Sequence, residues 1–261
     1  MHLNQRRLCI NLAGVPFVLK YDSTISGPVL KLTAGFSTPE NTRNLYHCIL
    51  EQVSAGRQVT ASSTIVDPMI FLDIENLIIT SDQTLLRIRS NSVEVVSAAL
   101  ALLYCILLSK TNGLLLHASG LVVAGKAYVF LAPSGGGKST VIENSKKGTI
   151  LHDDKIAARK TSKGWYAGGV PLLTNNGTTG TPLFAPLVGL FLIKKSKRTA
   201  LKRVVASKLV PKLAMQIYEP TGRLEIRRAV MGTLLELMTE LPVYSLQYKK
   251  GDDVSGFLSS I

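Results

Sequence analysis

With 261 residues, 46% of them hydrophobic, the chain has a globular composition and can bury a sizeable core, as one large domain or as a small domain attached to a larger one. Thirty Lys and Arg against seventeen Asp and Glu give a formal charge of +13, which favours anionic partners such as nucleotides, acidic peptides, nucleic acid or membrane surfaces. Cys9, Cys48 and Cys105 are widely spaced, with no C-x-x-C pair and no histidines at metal-ligand spacing, which argues against a Cys/His metal site and fits a reducing cytoplasm.

The first ninety residues alternate short β-type runs with turn signals. "RRLCINLAGVPFVL" is interrupted by Asn11, Gly14 and Pro16 and has no small-residue cleavage site, so it reads as an edge strand and turn rather than a signal peptide. Leu45 to Gln52 predicts a short helix closed by Gly56, while "PMIFLDIENLIIT" and "TLLRIRS" predict strands joined through Ser81-Asp82-Gln83. Residues 1–92 are therefore expected to form a small β-rich N-terminal lobe, and residues 93–261 the main core.

"VEVVSAALALLYCILL", Val93 to Leu108, holds Glu94 and is shorter than the roughly 20 residues of a membrane span, so it predicts a buried helix that ends near Asn112-Gly113. "LLLHASGLVVAGKAYVFLA" then predicts a strand, a Gly-Lys turn and a second strand. A short helix from Ser139 to about Lys147 and the strand "TIL" follow, ending at His152-Asp153-Asp154. "GWYAGGVPLL" and "LVGLFLI" predict further strands, Lys208 to Ile217 and Leu224 to Thr239 helices, and "VYSLQYK" a final strand. Strands alternating with helices imply an α/β core.

Within this order, "YVFLAPSGGGKSTV" (Tyr128 to Val141) carries the sharpest chemical signal. The phosphate-loop pattern G-x-x-x-x-G-K-[ST] is matched closely but not perfectly by Ala132-Pro133-Ser134-Gly135-Gly136-Gly137-Lys138-Ser139, with alanine in the first place. Glycines let backbone amides approach phosphate oxygens, Lys138 supplies a cation to them, and Ser139 can ligate Mg²⁺. Asp153 and Asp154 lie one helix and one strand further on, fifteen and sixteen residues after Lys138. Carboxylates at such a strand end can hold a cation and orient or deprotonate an acceptor. An Asp-Asp pair is otherwise a solvated turn or a helix cap. His117 precedes the strand pair that carries the loop and, in a parallel core, would project near the same face; His152 has at most a supporting role.

"TNNGTTGTP", Thr174 to Pro182, reads equally as a mobile cover over the acceptor and as an ordinary surface connection. Basic residues number eleven against eight acidic up to Thr140 and nineteen against nine beyond it, with the excess concentrated between Lys194 and Arg228. In "KKSKRTALKRVV", Arg203 is a candidate contact for transferred phosphate. The stretch has no interleaved aromatic residue, which argues against a base-stacking nucleic-acid surface.

Taken together, "LLLHASGLVVAGKAYVFLAPSGGGKST" followed by "GTILHDD" resembles the HPr kinase/phosphorylase family and its shorter relatives, including kinases found with lasso-peptide biosynthesis. The resemblance covers Leu114 to about Asp154, and "TELPVYSLQY" is similar to the closing strand of the shorter relatives. It implies the P-loop core shared by HPr kinase and PEP carboxykinase, with ATP and Mg²⁺ as cofactors. Ser134, Gly135, Gly136, Gly137, Lys138, Ser139 and Thr140 would surround the ATP phosphates, and Ser139 and Asp153 the metal. His117 would approach the transferred phosphate, and Asp154 would face the acceptor hydroxyl. Thr140 stands where HPr kinases carry glutamate, and their Glu-Ile-Arg-Gly segment has no match near "LLTNNGTTGTP"; both departures fit the shorter kinases better.

The expected activity is thus an ATP-dependent serine kinase acting on a peptide or small protein, with a small-molecule alcohol such as free serine as an alternative acceptor. An ABC-type or regulatory P-loop ATPase and a non-catalytic nucleotide sensor are the rival readings. Against the first rival, the chain has no Leu-Ser-Gly-Gly-Gln stretch. No nucleic acid and no membrane span are expected, and a homo-oligomer is compatible with this reading.

Overall fold

Gln5–Leu12 (β1) and Val15–Asp22 (β2) form an antiparallel hairpin closed by Ala13 and Gly14, both at positive φ (48° and 74°). Such a two-residue turn matches the twist of the strands it joins. The computed structural model describes residues 5–38, 46–53, 74–80, 83–258 and 261. After β2 comes the helix Ser26–Thr33 (α1), then Tyr46–Gln52 (β3), Ile74–Ile79 (β4) and Gln83–Ile88 (β5). The five strands make one sheet in the order β1-β2-β3-β5-β4, with β2, β3 and β5 parallel. Over Tyr46–Gln52 the helix predicted from Leu45 to Gln52 is a strand, Leu45 itself lying outside the described residues: Cys48 and Leu50 are fully buried at alternate positions between two strand neighbours, and pairing overrides local propensity. Gly56, Ser81, Asp82 and the first part of the Pro68–Thr80 run lie outside the described residues.

Val93–Ser109 (α2) starts at Ser92, whose hydroxyl accepts the Val95 amide, and stops before Asn112, which takes a left-handed φ of 54°. From Ala99 to Leu108 every residue is buried. The helix lies against β3 and β5 of the first sheet and against Gly113–His117 (β6) of a second, so one apolar cluster runs through both. The sequence boundary at residue 92 therefore assigns to one side a helix whose side chains serve two sheets. No helix among the described residues is long and apolar enough to cross a membrane.

The second sheet has nine strands. Ser119–Val123 (β7) and Lys126–Leu131 (β8) form a hairpin turned by Ala124-Gly125, one residue earlier than the predicted Gly-Lys turn. Lys138–Glu143 (α3) is shorter than expected. It leads to Thr149–His152 (β9), Lys155–Thr161 (β10), Gly164–Gly168 (β11) and the long strand Phe184–Lys195 (β12). Ala200–Val204 (β13), Val210–Ala214 (α4), Leu224–Glu240 (α5), Val243–Tyr248 (β14) and Ser255–Leu258 (α6) complete the chain. The segment Lys208 to Ile217 is only partly helical, a 3₁₀ turn at Ala206–Leu209 preceding α4. The molecule is mixed α/β, mostly strand, and the second sheet is mixed rather than parallel: β8, β12 and β14 run parallel, whereas β6, β7, β9, β10, β11 and β13 pair antiparallel.

Candidate active site

Between β8 and α3 the chain makes a tight glycine turn, with Gly135 at φ 68° and Gly137 at φ 102°, a backbone region that disfavours other residues. Gly136 is also sterically required, because a Cβ there would lie 2.5 Å from Ala132 Cβ and 2.8 Å from the Pro133 carbonyl oxygen. Lys138 is 7% exposed and folds back so that Nζ donates to the Ala132 carbonyl at 2.9 Å. Burial pushes its ammonium below the ordinary value, and the negative charge of Asp154 opposes that shift. The Ser119 hydroxyl donates to the Lys138 carbonyl at 3.2 Å, tying the start of α3 to β7.

His117 reaches the same cavity by a different route from the one expected. β6 pairs antiparallel with β10, so His117 stands opposite Lys155 and beside the carboxylate that precedes it. His117 Nε2 lies 2.9 Å from Asp154 Oδ1, and Lys155 Nζ donates to Oδ2 at 2.6 Å. Burial would raise the Asp154 carboxyl, but the His117 hydrogen bond and the Lys155 charge outweigh it and hold it well below the usual carboxylate range. Burial likewise raises Asp153, but hydrogen bonding more than offsets it and leaves the carboxyl below its ordinary value. His152 is buried. Its Nδ1 accepts the Asp154 and Lys155 amides at 3.0 and 3.1 Å, which places the proton of the neutral ring on Nε2, toward the Leu172 carbonyl. With Nδ1 so engaged, the 3.4 Å approach of Asp153 Oδ1 brings two acceptors together, and the Asn175 N–H at 3.0 Å is the donor that stabilises this carboxylate.

One cavity of about 480 Å³ collects Ser134, Gly135, Gly136, Gly137, Lys138, Ser139, Thr140, His117, Asp153 and Asp154. Its remaining wall is Asn175, Lys195, Ser196, Tyr248 and Lys250. Four of these come from the carboxyl ends of β12 and β14, which lie alongside the end of β8. Crevices beyond such strand ends are where open α/β sheets bind ligands. Their spacing in the sequence gives no sign of this, because the parallel pairing that unites them is long-range. Asn175 belongs to the Thr174–Pro182 segment, which is laced to its surroundings. Thr181 donates through its amide to Leu151 O (2.8 Å) and through its hydroxyl to Ile150 O (2.6 Å), and Thr174 and Thr178 bond each other.

Arg203 is not brought to this site. It sits on β13 opposite Tyr244, four residues back along β14 from Tyr248, or about 13 Å of strand. There it lines a separate cavity with Met238, Glu240 and Pro242.

The arrangement offers backbone amides and a lysine for an anion. Ser139 and Asp153 are hard oxygen donors for a divalent cation, and the hydrogen-bonded His117–Asp154 pair can accept a proton. Comparison of the sequence with protein-family models and with curated proteins finds no match.

Proposed function

We propose that the protein is an ATP-dependent kinase with an HPr kinase/PEP carboxykinase-like P-loop core, transferring the γ-phosphate to a serine hydroxyl of a peptide or small protein. The observation that carries this reading is the single cavity onto which both the glycine turn with Lys138 and the His117–Asp154 pair open. A nucleotide site alone needs no such pair. The free, buried thiols of Cys48 and Cys105 suit a reducing cytoplasm.

In this mechanism the amides of Gly135 and Gly137 and the Lys138 ammonium hold the phosphate oxygens as negative charge shifts onto the leaving group, while the Gly136 amide closes the turn on the Pro133 carbonyl at 2.9 Å. Ser139 and Asp153 would hold Mg²⁺, which would supply charge neutralisation on the phosphates when bound. The acceptor oxygen forms a bond to γ-phosphorus while the bond to the bridging oxygen breaks, and ADP leaves with that electron pair. The hydroxyl proton passes to the His117–Asp154 pair. A carboxylate held this firmly in its charged form is a weak base, which suits a loose transition state in which the proton departs late.

The test uses γ-labelled ATP, Mg²⁺ and serine-containing peptides with wild type, Lys138→Ala and Asp154→Asn. Wild type should label a peptide, and each variant should lose about a thousandfold or more of that rate. Transfer retained by Asp154→Asn would remove the pair from the chemistry. Label released only as inorganic phosphate, equally in wild type and Asp154→Asn, would leave a P-loop ATPase.

A further inference from the structure

A second cavity, of about 560 Å³, lies on the other side of the Ala132-Pro133-Ser134 segment. Its walls are apolar, from Leu131, Leu192 and Val204 on the sheet and from Leu209 and Met215 beyond it. Met215 is 81% exposed at its mouth, an unbranched thioether that adapts to varied partners. Lys194 and Lys212 are the charged residues of the lining, both exposed, and among the described residues no acidic side chain joins them there. The size is that of a ligand site, and the combination of apolar walls with these cations selects an apolar group carrying a negative charge.

Two features couple this cavity to the first. Ser134 lines both. Gln216 lines the second, its main-chain carbonyl accepts the His117 amide at 2.7 Å, and its side-chain nitrogen faces the Ala132 and His117 carbonyls at 3.2 Å each. An occupant of the apolar cavity therefore rests against the residue that ties the glycine turn to the His117 strand.

We propose that this cavity seats the acceptor, and that the acceptor is a peptide segment in which an apolar side chain and a carboxylate flank the serine. The inference rests on the kinase reading for its meaning but not for its test, since binding is measured without turnover. The polar cavity already supplies the cations and amides for a nucleotide, so the apolar one is left to the other substrate.

The probes are 1-anilinonaphthalene-8-sulfonate and its uncharged analogue N-phenyl-1-naphthylamine, with a fluorescent ATP analogue measured in parallel. Wild type should bind the sulfonate saturably, and a peptide containing Leu-Leu-Asp-Ser should displace it where one containing Gly-Gly-Lys-Ser does not. Lys194→Glu with Lys212→Glu should weaken the sulfonate about tenfold and leave the uncharged analogue unchanged. Leu192→Trp, which fills the cavity, should abolish binding of both probes. Met215→Asp, at an exposed position that leaves the core intact, should weaken both about fivefold. All variants should bind the ATP analogue within about twofold of wild type. Sulfonate binding indifferent to Leu192→Trp and Met215→Asp, or displacement by both peptides alike, would overturn the proposal. So would loss of the ATP analogue in these variants, which would make the cavity a base pocket. Failure of the kinase reading would leave a different signature: peptide bound here with no phosphate transferred to it.

Discussion

Asp154 has both oxygens engaged, one by His117 and one by Lys155, and its carboxyl is held well below the ordinary value of 3.8 by these partners against the cost of burial. A depressed native pKa means that the unfolded chain binds the proton more readily. The associated stability is therefore fully present above 3.8 and is lost as the pH falls from there toward the native value. Asp153 shifts in the same direction, so an Asp154→Asn variant removes part of the dependence and not all of it. Urea midpoints measured from about pH 4.5 down to about pH 2.5 should fall more steeply in wild type than in Asp154→Asn. Identical slopes would mean that the carboxylate is no better stabilised in the native state than in the unfolded one. Asp154 thus stays charged at neutral pH, as a partner that fixes the His117 ring.

At the scale of elements, the segment Thr174–Pro182 is a positioned part of the site. The Ser97 hydroxyl on α2 accepts the Leu173 amide at 3.0 Å, and two residues on the Asn175 amide reaches Asp153. Gly180 lets this segment lie flat on β9, since a Cβ there would collide with the Val170 carbonyl oxygen and the ring of buried His152. Gly180→Ala should therefore lift the segment, cost about 1–3 kcal/mol in urea unfolding, and speed hydrogen exchange of the Asn175 amide. Unchanged exchange would show that the Asp153 contact does not depend on this packing. The legible part of the site is the part built from neighbours in sequence. The apolar run into three glycines and Lys138, and the strand ending at Asp153 and Asp154, are local patterns whose order alone places them. Lys195, Ser196, Tyr248 and Lys250 were illegible because only the parallel register of β12 with β8 and β14 brings them there. The same limit explains Arg203, whose distance from the site depends on its register opposite Tyr244. It explains β3 as well, since its strand conformation comes from partners on both sides.

For the whole molecule, the decisive element is α2. A 17-residue helix buried almost all round has no face left for water, and it is stable only if both sheets cover it. Ring packing shows the link to the first sheet directly: Phe17 on β2 meets Tyr104 on α2 edge-on at 5.8 Å. From the other side, Arg159 on β10 donates through Nε to the Ala13 carbonyl in the first hairpin turn at 2.8 Å. The two sheets should therefore unfold together. Trp165, the chain's single tryptophan, reports on the second sheet, while the buried thiols of Cys9 and Cys48 report on the first. Burial pushes the Cys48 thiol up to about 12, so it stays unreactive until the sheet opens. Tryptophan fluorescence and thiol labelling should give one coincident urea transition. Leu103→Ala, which opens a cavity at a fully buried position of α2, should shift both midpoints by the same amount, for a cost of about 2–5 kcal/mol. Separate midpoints, or a shift in only one probe, would show that the two sheets unfold independently. A single transition carries a consequence for the site: through Ser97 and Leu173, the helix that joins the sheets also holds the segment bearing Asn175 against Asp153. Loosening the first sheet would then be felt at the carboxylates of the second.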